Sequence, residues 1–349
     1  MHSFISYFKK SPGLWITVLI VIVFEISLYF IPRLYYLDGT GSFFVYLKRE
    51  VVETKNDFDI IILGDSRSLS LKGIKKDSGY KYSVYNFSLP AAGPYYFRFL
   101  LEKYLVSNKK PGLVVFAGDP NNFNQDKMGK FNENPKLWQT YKHRLLNLFS
   151  YKETFPQYDG KELFFLSKEY FANMFYSVRF REVLSGFIGA RLSSIIHFDF
   201  ALYQRNQIVA KIIEENNGMI NLGDFFMAPE GTSEKERIPL IETHNHERIN
   251  TQPLENLVDY CEKQGLKLLI LSLPKVEGLR DSPLIRKVDN EYKKIANENN
   301  HVNYLEFQEM DYPADLFSEA IHYNSRGEKK LNDEFLNRVI YQIYDILEK

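Results

Sequence analysis

The hydrophobic pattern changes character along this chain. Leu14 to Ile31 (LWITVLIVIVFEISLYFI) is an almost unbroken apolar run in which only Thr17, Glu25 and Ser27 are polar, close to the length that a bilayer core demands. Beyond it the apolar runs become short. Ile60–Leu63, Ser83–Ser88, Leu113–Ala117, Leu266–Leu273 and Val302–Phe307 are mostly rich in aliphatic and aromatic residues and in most cases bounded by Gly, Pro or Asp, which predicts strands. Between them Gly93–Val106, Pro253–Gln264, Ser282–Glu298 and Ser325–Leu347 show helical spacing. Strand alternating with helix predicts an α/β domain whose central parallel sheet, of about five strands, is covered on both faces.

The same pattern predicts the organisation: a cytoplasmic N-terminus over 1–13, a transmembrane anchor over 14–31, a connector over 32–56 with helical character around Phe43 to Val52, and one domain over 57–349. Lys9 and Lys10 precede the apolar run and only Arg33 closely follows it. The excess of basic residues on the amino-terminal side places that end in the cytoplasm and the rest of the chain outside. A cleaved signal peptide is the rival reading, but the run is longer than a usual signal core and Tyr29-Phe30-Ile31-Pro32-Arg33 offers no small-residue cleavage site. Glu25 is expected to sit protonated or to snorkel, in preference to marking a helix partner. The alternation breaks off between Asp119 and Thr251, far longer than an αβ connection requires, so an inserted, mostly helical subdomain is expected over about 120–251. Its aromatics, among them Phe164, Tyr170, Phe175 and Phe180, suit either a lid over a site or a packing appendage.

Composition narrows the function classes. Lys plus Arg and Asp plus Glu are 44 each, so no global field favours nucleic acid, and no basic stripe compensates. Cys261 is the single cysteine; an exported domain without disulfides suits a bacterial envelope. Glu242, His244 and His246 superficially suggest metal ligands, but their polar surroundings and the lack of assignable further ligands make a surface loop the expected reading. No Gly-rich phosphate loop is present, and no cofactor is expected.

The chemistry is concentrated at two places. Asp59 to Ser68 (DIIILGDSRS) is an apolar strand ending in a polar turn, and ligands and nucleophiles collect outside the carboxyl ends of such strands. Ser66 is therefore the candidate nucleophile. Near the other end, Glu319-Ala320-Ile321-His322 offers His322 as base and acid and Glu319 as the carboxylate that orients it. Asp315 is a second choice for that last role. The following Ser325-Arg326-Gly327-Glu328 fits a capping box with Ser325 at the cap and Glu328 at the third helical position. That leaves His322 on a loop. Asp65 is expected to form the turn, and Arg67 either binds an anionic group or pairs at the surface, with the structural role preferred.

These blocks resemble the SGNH, or GDSL-type, hydrolases. Gly64-Asp65-Ser66 is similar to the nucleophile block of that family, Gly93 to its glycine block, and Glu319-Ala320-Ile321-His322 with Tyr323-Asn324-Ser325-Arg326-Gly327 to its closing block and usual sequel. The resemblance runs from about Asp59 to Gly327, the insertion excepted. It implies a flavodoxin-like three-layer sandwich and an oxyanion hole made by the backbone N–H groups of Ser66 and Gly93 with an asparagine side chain. The third block departs from the family's Gly-x-Asn-Asp, reading Gly118-Asp119-Pro120-Asn121-Asn122; Asn121 is the first choice of donor and Asn122 the second. Glu319 stands where aspartate is commoner. The membrane-anchored branch of the superfamily, implicated in O-acetylation or D-alanylation of envelope polymers, implies a serine esterase or O-acyltransferase acting on an acyl, foremost acetyl, ester of an envelope glycan beside a membrane-bound acyltransferase. The alternative is a non-catalytic relative that docks a glycan or that acyltransferase.

Overall fold

The computed structural model describes residues 12–31, 33–37, 43–90, 94–124, 175–181, 183–185, 188, 201–221, 248–319 and 321–349. Gly93, Glu242, His244, His246 and most of the expected insertion lie outside them.

The apolar runs form the strands. β1 (Ile60–Gly64), β2 (Val84–Asn86), β3 (Leu113–Ala117), β4 (Lys267–Ser272) and β6 (Val302–Glu306) make one parallel sheet in the order β2-β1-β3-β4-β6. The fold is α/β, with the doubly wound strand order of flavodoxin-like proteins. β1, β2 and β3 are buried along their whole length, as expected of parallel strands covered on both faces. Successive side chains serve opposite faces. Ile60, Ile62, Val115 and Leu269 share a core with Leu331, Phe335, Val339 and Ile343 near the carboxyl terminus. From the middle of β3, Phe116 meets Phe97 and Tyr292 edge-on, with ring centroids 5.0 and 6.1 Å away. The expected helices appear as α3 (Pro94–Ser107), α5 (Gln252–Gln264), α6 (Pro283–Glu298) and α7 (Ser325–Glu334), with α1 (Pro12–Tyr29) and α2 (Phe43–Glu53) before them and α4 (Ala201–Glu215) between α3 and α5.

The carboxyl-terminal helix differs from expectation. It is a succession of α7, a π-helical turn over Phe335–Val339, and α8 (Ile340–Glu348). Its cap is Asn324, whose side chain accepts from the N–H groups of Arg326 and Gly327. Ser325 is the first helical residue, which puts Gly327 at the third helical position, so the expected capping box does not form. Glu328 does not close the box; it is buried and accepts from the Ser70 hydroxyl at 2.6 Å. A two-residue pair, β5 (Lys275–Val276) beside β7 (Asp311–Tyr312), was not legible in the pattern because strands this short carry no period.

The chain divides into two compact units, Met1–Tyr46 with Leu146–Ala210, and Leu47–Leu145 with Lys211–Lys349. The second holds the sheet. In the first, α1 begins two residues before the expected run and has a mean hydropathy of 2.0, which makes it long and apolar enough to cross a membrane. Glu25 has a partner there: its carboxylate accepts the Ser177 N–H at 3.2 Å and the Ser177 hydroxyl. Tyr176 also packs edge-on against Tyr29. The reading of Glu25 as a group without a helix partner is thus corrected, since a hydroxyl and a free N–H at a helix start satisfy it.

Candidate active site

The strand order reverses between β1 and β3, because the chain leaves β1 toward β2 and then crosses back to β3. A crevice opens outside the carboxyl ends of strands at such a switch point. Both ends are polar turns here. Gly64 pairs with Ala117 in the ladder, and the two chains continue into Asp65-Ser66-Arg67 and Gly118-Asp119-Pro120. From Ile60 to Leu71, Ser66 alone is not buried. The turn is tight enough to forbid a side chain at Gly64, where a Cβ would lie 1.9 Å from Ser68 Oγ and 2.9 Å from the Ala117 carbonyl oxygen.

His322 comes from a loop with its own scaffold. Phe317 and Tyr323 form an antiparallel bridge, the Ser318 N–H donates to the His322 carbonyl at 2.9 Å, and the Asn324 N–H donates to the Leu316 carbonyl at 3.0 Å. Asn324 adds a side-chain bond to the Asp315 carbonyl at 2.7 Å. Asn324 therefore closes the loop and caps α7 together. Gly327 seats that helix on the loop, since a Cβ there would meet the Leu316 oxygen at 2.1 Å.

These scaffolds bring Ser66, His322 and Glu319 together. The Ser66 hydroxyl lies 2.7 Å from His322 Nε2, and His322 Nδ1 is hydrogen-bonded to Glu319 Oε1. With the Nδ1 proton donated to the carboxylate, the Nε2 lone pair is left to accept from serine. The His322 side chain is 14% exposed and that of Glu319 45%, so the Glu319 carboxylate lies at the rim. Asp315 is not at the imidazole; it pairs with Arg326 at 3.2 Å and is exposed. The second choice of orienter is corrected accordingly, for the seven-residue offset carries Asp315 to the other end of the loop.

Beneath the serine lies a buried charged network. Asp65 accepts from the N–H of Arg67 at 3.0 Å, forming the expected turn, and also from the N–H of Asp119 and the Asn122 side-chain amide at 2.5 Å each. Burial, with the Asp119 charge next, pushes its carboxyl up to about 6 despite the hydrogen bonds it accepts. Asp119 moves the other way: burial opposes ionisation, but the Arg67 guanidinium outweighs it and holds the carboxyl below its usual range. Arg67 is only 2% exposed, so it neither pairs at the surface nor faces solvent. Burial works against its charge, yet Tyr323 and Asp119 hold its pKa above the usual value. Its guanidinium donates to Asp119 and to the Pro274 carbonyl.

Among the oxyanion candidates, Gly93 lies outside the described residues. Asp119 caps the turn Pro120–Phe123 by accepting from the Asn121 N–H at 2.7 Å. The Asn121 side-chain oxygen is buried without a hydrogen-bond partner, and the half-buried Asn122 amide donates one N–H to Asp65. Sequence reasoning gave no role to Tyr323, Pro274 or Lys48. Tyr323 directly follows His322 in the closing block, whereas nothing in the sequence marks the other two. Lys48 is fully buried and donates to the Ser88 carbonyl at 2.6 Å, while the Ser88 hydroxyl accepts from Ser68. Burial drives its amine well below the usual lysine pKa.

No curated protein sequence matches the chain. It is similar to a solved structure described as "a putative platelet activating factor from Streptococcus pneumonia", with a TM-score of 0.40 and 9% identity over 94% of this chain and 99% of that one. Residues 35–331, a span that includes the seven strands among the described residues together with Ser66, Glu319 and His322, match the family model described as "Protein of unknown function (DUF1574)", and the chain belongs to that family.

Proposed function

We propose that the sheet-bearing unit is an extracytoplasmic serine esterase or O-acyltransferase, anchored in a bacterial cell membrane by α1 and related to the membrane-anchored SGNH hydrolases. The observation that carries this reading is the relay from Ser66 through His322 to Glu319, with the hydroxyl 2.7 Å from Nε2. Two residues separated by 256 positions meet at hydrogen-bond distance, at a strand-order reversal where substrates bind in such sheets.

The chemistry follows from the roles. Ser66 Oγ attacks the ester carbonyl carbon as its proton passes to His322 Nε2, and Glu319 stabilises the resulting imidazolium. The tetrahedral intermediate collapses when the alcohol oxygen leaves with that proton, and the acyl group remains on Ser66. Water, deprotonated by His322, then releases a carboxylic acid. A sugar hydroxyl in its place gives a new ester. An acetyl ester of an envelope glycan, supplied or accepted beside a membrane-bound acyltransferase, is the proposed substrate class; the resemblance and the α1 anchor support it.

The test is covalent labelling of the full chain in detergent by a fluorophosphonate, with release of acetate from an acetyl ester as second readout. Labelling and turnover in the parent, and their loss in Ser66→Ala and His322→Ala, are expected. Equal turnover in parent and variants would sink the triad. The alternative, a non-catalytic docking role, predicts that Ser66 stays unlabelled.

A further inference from the structure

One side chain of the buried network joins the turn after β1, the segments after β3 and β4, and the His322 loop. Arg67 follows Ser66 directly. Its Nη1 donates to Asp119, after β3. Its Nη2 donates to the Pro274 carbonyl, after β4, and lies 3.4 Å from the Tyr323 hydroxyl. Its guanidinium carbon stands 5.7 Å from the centre of the Tyr323 ring. Tyr323 directly follows His322, and its hydroxyl donates to the same Pro274 carbonyl. The neighbours of the nucleophile and of the base are thus tied to one another and to one carbonyl oxygen.

We propose that Arg67 and Tyr323 are positioning residues, which hold the Ser66 turn and the His322 loop in register through their shared grip on Pro274. The proposal rests on the serine reading above and assigns it two residues that touch no reacting atom. The Arg67 N–H is fixed by Asp65 and Tyr323 is bridged in backbone to Phe317. A shift of either brace residue therefore passes to its neighbour across a single peptide unit. The 2.7 Å contact between Ser66 and His322 has little tolerance for such a shift, because hydrogen bonds weaken steeply with misalignment.

Two features argue for register over simple stabilisation. A buried ion pair is by itself weak evidence for stability, because apolar residues of similar volume often serve as well or better. The Arg67 Nε is also buried without a hydrogen-bond partner. That orphan is the cost of aiming both terminal nitrogens at Asp119 and Pro274. Only the planar fork of arginine spans the two; an ammonium is a single point of charge.

The experiment uses the full chain in detergent. Tyr323→Phe keeps the ring and deletes the hydroxyl, and Arg67→Lys keeps the charge and deletes the fork. Rates of fluorophosphonate labelling, kcat and KM on an acetyl ester, and hydrogen exchange of peptides covering 64–70 and 316–324 are measured. Tyr323→Phe is expected to lower kcat per labelled site about tenfold with KM within about twofold, the sign of an interaction lost only in the transition state. Arg67→Lys should lose about a hundredfold in kcat, its charge failing to rescue the geometry. Exchange should rise in both peptides, although each substitution lies in only one. A merely structural role would lower the melting temperature and the labelled fraction but leave kcat per labelled site unchanged, and that result overturns the proposal. If the parent itself is not labelled, the serine reading fails instead, and exchange decides the brace: a rise in both peptides upholds the coupling, and a rise confined to the mutated one refutes it.

Discussion

Replacing Glu319 by Gln isolates the electrostatic part of the relay. The amide has nearly the same shape, and the 45% exposure of the Glu319 side chain leaves it free to turn its oxygen toward His322, so Nδ1–H can still donate and the tautomer is kept. What disappears is the negative charge facing the imidazolium of the transition state. Two unit charges about 4 Å apart interact by about 1 kcal/mol in water and about 4 kcal/mol at an effective dielectric near 20. Glu319 at the rim and His322 at 14% exposure place the pair between these limits, at about 2 kcal/mol. The expected loss in kcat is then about 30-fold, since 1.36 kcal/mol is tenfold. Asp315→Asn is the matched control, because that carboxylate pairs with Arg326 in solvent; it should stay within about twofold of the parent. The assay is acetate release at saturating ester, normalised to sites titrated with fluorophosphonate. A Glu319→Gln enzyme within about twofold of the parent, or an Asp315→Asn enzyme equally impaired, would refute the assignment of Glu319 as the carboxylate that acts on His322.

Two further predictions concern the turn around the serine. Asp65 carries a carboxyl raised to about 6 in the folded chain, against about 3.9 unfolded, so the folded state binds the proton more tightly and stability falls as pH rises from about 4 to about 6, by about 3 kcal/mol for this group. Urea titrations across that window should show the decline in the parent and a flatter profile in Asp65→Asn; parallel profiles would count against the raised value. Gly64→Ala inserts a methyl where Ser68 Oγ and the Ala117 carbonyl already stand, and should cost about 1–3 kcal/mol in urea titration as overpacking, with fluorophosphonate labelling slowed because Ser66 is two residues on; unaltered stability would show that the turn relaxes freely.

Much of the sheet was legible because β1, β2 and β3 are buried on both faces. Ile60 to Leu63 and Leu113 to Ala117 are uninterrupted apolar runs, and their observed limits differ from the expected ones by a residue at most. Helix limits were less secure. Asn324 and Ser325 are both good caps, and the choice fell to Asn324 because its amide also reaches the Asp315 carbonyl, a bond that depends on how the loop returns. Arg67 was misplaced for a similar reason. An arginine beside a turn reads as a surface group, and only Asp119 and the Pro274 carbonyl, brought in from two other strands, make its burial tolerable.

The amino-acid sequence by itself determined the apolar helix near the N-terminus, the parallel sheet, and the candidate serine and histidine. Each is written in local periodicity or in the few residues of a turn. The tertiary structure alone decided that Glu319 and not Asp315 faces His322, that Ser177 meets Glu25, and that Arg67 and Tyr323 close on one carbonyl. Those contacts join residues that the chain brings together only after the strands have been ordered. Hydrogen bonds and ion pairs act over a few ångströms in space, and spacing along the sequence does not encode that distance.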